Sequence, residues 1–243
     1  MKILLVSPNT RMSNDGLRLI AALLRRDGHQ LQMITVPNPA PKIISDEKLK
    51  MLGEFTMEAD LVMIGVYSLY EQHVIRITKY LKSIRPDRLI IWGGPHCIGQ
   101  AEESLQYADG VCYSEGDIAV PQFVSLLESG NKDYLQTANM AFRINDTIQI
   151  NPLLPLFDDL DSLPFYDYSF ENEWVLYQSF VPVNSAVFAN NAQVHPFKHP
   201  TISFLFSRGC PHNCSYCSNI RYLTMYRRTK IRSVSINLSL IHI

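Results

Sequence analysis

Apolar and polar positions over residues 1–130 alternate between two patterns. Short segments at 2–6, 30–36, 60–66, 88–92 and 110–114, the first and third of them near-continuous apolar runs, read as buried strands. Between them lie segments with an apolar stripe at helical spacing. The first runs over 17–27, with Leu17, Ile20, Leu23 and Leu24 on one face and Arg18, Arg25 and Arg26 expected to point away. Ser13-Asn14-Asp15-Gly16 supplies capping chemistry before it, and Gly28 suits its end. A second helix starts at Asp46, which is expected to cap it, and runs to 57. A third covers 71–84, with Val74, Ile77 and Leu81 inward and Pro86 as its stop, and a fourth covers 117–129. Five buried strands joined by helices predict a flavodoxin-like, Rossmann-like doubly wound parallel sheet with helices on both faces. Ligands in that architecture sit above the carboxyl ends of the strands. The loops there are 7–13, 67–70, 93–97 and 114–117.

After residue 134 the pattern changes. Residues 140–144 and 147–150 alternate around Asn145-Asp146, a β-hairpin signal. Residues 152–170 are rich in proline and carry Asp158, Asp159, Asp161 and Asp167. They read as an extended linker with solvated charges. Residues 174–188 are apolar and aromatic and are expected to add strand structure beside a following domain. Residues 201–207 alternate again and read as one more strand. The expected division is a sheet domain over 1–134, a hairpin and linker over 135–199, and the start of a second domain over 200–243.

Composition narrows the function. The chain has 243 residues, 47% of them hydrophobic and 19% charged, which suits a protein with a real core. A formal net charge of −1 with no basic run gives no support to phosphate-driven nucleic-acid binding. The apolar start at 3–6 is too short for a signal peptide, and no stretch approaches the roughly 20 apolar residues of a membrane span. Cys97 and Cys112 stand alone in separate segments, the pattern of a reducing, cytoplasmic setting and not of a disulfide framework.

The remaining three of the five cysteines fall within eight positions: Arg208-Gly209-Cys210-Pro211-His212-Asn213-Cys214-Ser215-Tyr216-Cys217. The spacing is C-x3-C-x2-C, on the loop expected to leave a strand end. Thiolates are soft ligands for iron–sulfur clusters or zinc. Three ligands leave one metal position open, as catalytic metal sites require. Zinc would need a fourth ligand, for which His212 is the nearest candidate. His212 otherwise reads as a solvated loop residue.

This motif, with an aromatic before its last cysteine, resembles the signature of the radical SAM superfamily. The resemblance implies that Cys210, Cys214 and Cys217 hold a 4Fe-4S cluster. It implies that the open iron takes S-adenosylmethionine, which is cleaved reductively to a 5′-deoxyadenosyl radical, and that Tyr216 lies near the adenine. The sheet domain resembles the cobalamin (vitamin B12)-binding domain that precedes the radical SAM (β/α) barrel in one subfamily. The matching residues are Ser68, Gly93-Gly94-Pro95-His96 and Glu115-Gly116-Asp117. The resemblance places Ser68, Gly93, Gly94, Glu115 and Gly116 at the cofactor. The histidine that ligates cobalt in many cobalamin proteins is absent from the loop at 7–12, so cobalamin either binds without such a ligand or does not bind. His96 is expected to be a loop residue and not a cobalt ligand.

The resemblance also implies a small-molecule substrate, a reducing electron donor such as ferredoxin or flavodoxin, and methyl transfer or a radical rearrangement of the cyclase type. No side chain is assigned a catalytic role. A barrel-type domain needs about 200 residues or more, and only 218–243 follow the motif. The chain is therefore expected to be truncated within the radical SAM domain and not to turn over by itself. Residues 233–243 alternate like a strand and also resemble a translated sequencing adapter. The rival reading is a non-catalytic cobalamin- or small-ligand-binding module with a vestigial cysteine site.

Overall fold

The computed structural model describes residues 1–10, 12–39, 42–191, 202, 205–212, 214–217, 219–227 and 231–240. The first elements are β1 (Lys2–Ser7), α1 (Asp15–Arg26), β2 (Gln30–Thr35), α2 (Asp46–Phe55), β3 (Leu61–Gly65), α3 (Glu71–Ile84), β4 (Leu89–Gly93), α4 (Pro95–Gly99), α5 (Ala101–Ser104), β5 (Gly110–Cys112) and α6 (Gly116–Glu128). β2, β1, β3, β4 and β5 lie side by side in that order and pair in parallel. The doubly wound sheet read from the apolar runs is therefore the observed fold.

Alternation within each strand divides the core. Leu4, Val6, Val62, Ile64, Ile90 and Trp92 face α2 and α3, while Ile3, Leu5, Leu61, Met63 and Ile91 face α1 and α6. β1 is buried on both faces from Ile3 onward, which is why Ile3–Val6 is apolar throughout. The side chain of Asn14 caps α1 by accepting from Leu17 N. Ser45, not Asp46, caps α2 by accepting from Lys48 N.

The sheet is wider than expected. β6 (Met140–Ile144) and β7 (Thr147–Ile150) form the expected hairpin, turning at Asn145 and Asp146 with φ of 47° and 62°. β6 pairs antiparallel with β5. On the other side β8 (Glu173–Leu176) pairs in parallel with β2, and β9 (Phe180–Pro182) follows antiparallel. The segment expected beside a second domain thus completes this sheet. α7 (Ser185–Asn191) comes next.

Two charge assignments change with it. Arg18 does not point to solvent: it is fully buried, with Nη2 2.7 Å from Glu173 Oε1 and its guanidinium 4.5 Å from the centre of the Tyr168 ring. Asp167 is not a solvated linker charge, since it accepts from Arg25 Nε at 2.7 Å. The segment 167–188 packs over α1, and so an outward helix face becomes an internal one. Leu156 and Leu160 are buried as well.

The described C-terminal elements are β10 (Ser207–Arg208), α8 (Asn219–Tyr226), β11 (Arg232–Ser233) and α9 (Ile236–Leu240). β10 and β11 form a two-stranded antiparallel sheet. Residues 201, 203 and 204 of the expected strand at 201–207 lie outside the described residues. The expected strand at 233–243 is instead α9, where Leu238 N donates to Ser235 Oγ and turns the chain into a helix; 241–243 are outside the described residues. Among the described residues no helix is long and apolar enough to cross a membrane.

Candidate cofactor site

The parallel strands β1 to β5 end at one edge, and the loops leaving β1, β3, β4 and β5 meet there. The loop after β4 folds tightly on the loop after β3. Val66 N donates to Gly93 O at 2.7 Å, and His96 N donates to Val66 O at 3.2 Å. Gly94 makes this approach with φ of 105°, and a Cβ there would lie 2.9 Å from Val66 O. No other residue fits both the angle and the gap. Ser68, exposed on the neighbouring loop, shares a 3.1 Å hydrogen bond with His96 Nδ1. Thr10 and Tyr70 link the loops after β1 and β3 at 3.3 Å.

Three buried polar atoms along this edge have no hydrogen-bond partner among the described residues: Asn9 Oδ1, Asp15 Oδ1 and His96 Nε2. Leaving a buried polar atom unpaired costs about 1–3 kcal/mol. Burial lifts the Asp15 carboxyl above its ordinary range, against the pull of Arg18. Such atoms at the carboxyl edge suit a polar ligand that completes them. His96 is thus a buried member of the edge and not a free loop residue; its side chain Nε2 stands 3.7 Å from Glu71 Oε1.

The loop after β5 is arranged differently. Both Glu115 oxygens are engaged: Oε1 accepts from Arg232 Nη2 at 2.6 Å, and Oε2 from Arg232 Nη1 at 2.9 Å and Phe157 N at 3.1 Å. Burial opposes ionisation here, yet Arg232 and Arg208 hold the carboxyl below its ordinary range. Gly116 meets a packing need, because a Cβ would lie 3.1 Å from Val120 and 3.2 Å from Ile20. Of the residues expected at the cofactor, Ser68, Gly93 and Gly94 therefore line one part of the edge. Glu115 and Gly116 stand in an ion-pair and packing position beside it.

Cys210, Cys214 and Cys217 are free and partly exposed. Cys217 N donates to Cys214 O at 3.1 Å, closing a turn whose tip carries Tyr216, 91% exposed. His212 is exposed. Among the described residues no three metal-ligating side chains are drawn together. As a donor set the three thiols still suit an iron–sulfur cluster, being soft and accessible on one short loop. The loop at 7–13 was marked by its place at a strand end, but nothing in the sequence singled out Asn9 within it, and Asp15 carried only a capping signal.

The model of the B12 binding domain family matches residues 1–124. An uncharacterized methyltransferase of Pyrococcus horikoshii is 22% identical over 259 residues, covering 100% of this chain and 50% of its own length. The cobalamin-dependent radical SAM methyltransferase TokK of Streptomyces tokunonensis is 22% identical over 209 residues, covering 83% of this chain and 28% of its own. The chain thus spans half or less of these relatives. Among solved structures, the radical S-adenosylmethionine methyltransferase TsrM of Kitasatospora setae, with tryptophan substrate and a SAM analog bound, matches with a TM-score of 0.53 at 13% identity. The match covers 62% of this chain and 30% of that one, and it bears on the fold alone.

Proposed function

The chain belongs to the B12-binding domain family, and from that premise we propose that it holds cobalamin over the carboxyl edge of its sheet as part of a cobalamin-dependent radical SAM methyltransferase. Ser68, Gly93 and Gly94 line the pocket, with His96 Nε2, Asn9 and Asp15 completing their hydrogen bonds to the ligand. Cys210, Cys214 and Cys217 hold the 4Fe-4S cluster, and Tyr216 packs beside the adenine of S-adenosylmethionine. When bound, the cluster supplies the one-electron reduction of S-adenosylmethionine and cobalamin supplies methyl transfer to a small-molecule acceptor. A reducing partner such as ferredoxin or flavodoxin delivers the electron. The corresponding division is a cofactor-binding sheet domain over 1–134, a segment at 135–199 that supplies β6 to β9, and a radical SAM segment over 200–243.

The observation that carries the cobalamin half is the row of unpartnered polar atoms at a glycine-lined strand edge. The partly exposed, ungathered thiols favour a second reading, a cobalamin-binding module without a cluster. One experiment separates the two. The chain is reconstituted anaerobically with iron and sulfide and then titrated with hydroxocobalamin. The expected wild type is brown and takes up cobalamin. The Cys210→Ala/Cys214→Ala/Cys217→Ala variant loses the colour and keeps cobalamin, whereas Gly94→Leu keeps the colour and loses cobalamin. A colourless wild type that still takes up cobalamin establishes the module, and a wild type that takes up neither sinks both readings.

A further inference from the structure

We infer that the loop after β5 is the seat of the cysteine loop, with Asp117 and Glu115 acting as positioning residues through Arg208 and Arg232. The inference rests on the proposed cluster-holding role of the three cysteines and adds what sets their place against the sheet. Arg208 stands two residues before Cys210. Its Nη1 donates to Asp117 Oδ2 at 2.6 Å and its Nη2 to Asp117 Oδ1 at 3.0 Å. Nη1 also lies 3.4 Å from Glu115 Oε1. Arg232, paired with Arg208 across β10 and β11, grips Glu115 with a second two-pronged contact.

Beyond the cysteines, the Tyr226 hydroxyl at the end of α8 meets the Ser114 hydroxyl. Arg208 before the cysteines and Tyr226 after them therefore both contact residues 114–117 of the sheet domain. Fork-to-fork contacts fix direction as well as distance. Asp117 also lies in the first turn of α6, where the helix dipole favours its negative charge. Asp117 and Arg232 are 5% and 2% exposed and their partners Arg208 and Glu115 20% and 13%, so water screens the pairs only in part. Both oxygens of each carboxylate are spent on guanidinium groups, which gives these acids a placing role in preference to contact with a cofactor.

The test uses the full 243-residue chain and two readouts. Hydrogen exchange is followed over 205–227, with β1 and β3 as internal controls, and the reduced reconstituted cluster is examined by electron paramagnetic resonance. Asp117→Asn and Arg208→Gln should each raise exchange over 205–227 by about tenfold or more, the loss of a charge-assisted hydrogen bond, while β1 and β3 stay protected. Their cluster spectra should broaden relative to wild type. Arg208→Lys, which keeps the charge but not the fork, should fall between, and the Asp117→Asn/Arg208→Gln double variant should be no worse than either single. Unchanged exchange and spectra in both singles, or a rise spread equally over β1 and β3 in all three single variants, would overturn the seating. A wild type that takes up no iron instead removes the premise, while a local exchange response would still establish the seat.

Discussion

His73 shows how one side chain shapes the edge where the cofactor is proposed to lie. It is 3% exposed, and its Nδ1 accepts from Ile44 N, which ties the chain after β2 onto α3. Burial pushes its pKa down from 6.5 to about 4. It is neutral in the fold and takes up a proton in the unfolded chain below pH 6.5. Its contribution is therefore complete above that pH and is lost as the pH falls toward 4. Between pH 7 and pH 5 the wild type should lose about 2 kcal/mol more unfolding free energy than His73→Asn, because the unfolded chain gains a proton over that range and the fold does not. Denaturant unfolding at the two pH values measures it, and an equal loss in the two proteins would remove His73 from this role.

At the scale of elements, the clamp between α1 and β8 decides the shape of the sheet's β2 side. Arg18 and Glu173 are 0% and 2% exposed and form a two-pronged pair. Burial raises the Glu173 pKa even with Arg18 beside it, and taking both charges out of water opposes the attraction between them. Arg18→Met should destabilise by about 3–5 kcal/mol, because it strands a buried carboxylate, and Arg18→Met/Glu173→Leu should recover most of that loss. Thermal or denaturant unfolding of the three proteins tests this, and a double variant as unstable as the single would contradict it. The clamp was not legible in the sequence. Arg18 falls among outward arginines on the helical wheel, and its partner is 155 residues away. The strands β1 and β3 were legible because burial on both faces makes Ile3–Val6 and Leu61–Ile64 apolar throughout, and β2 because apolar and polar residues alternate at its start, with Gln30 and Gln32 exposed. β8 was assigned to the wrong neighbour because apolar alternation marks a strand without naming its partner. The helix at 236–240 was misread for a related reason: alternating serine and aliphatic residues suit a strand, and the capping hydroxyl of Ser235 overrules them.

For the whole molecule, two cofactors are proposed to share one edge: cobalamin over the loops after β1, β3 and β4, and a cluster on a loop seated on the turn after β5. The cysteine spacing was legible because few residue patterns serve the same chemistry. The seat was not, because Arg208 and Asp117 come together only when the chain returns to β5 after 91 residues. The most direct test is the electron-spin relaxation of cob(II)alamin in the chain loaded with both cofactors and reduced. Relaxation should be faster than in the Cys210→Ala/Cys214→Ala/Cys217→Ala variant loaded with cobalamin alone, as a paramagnetic cluster nearby requires. Identical relaxation in the two proteins, with iron and cobalamin both bound to the wild type, would contradict the shared edge.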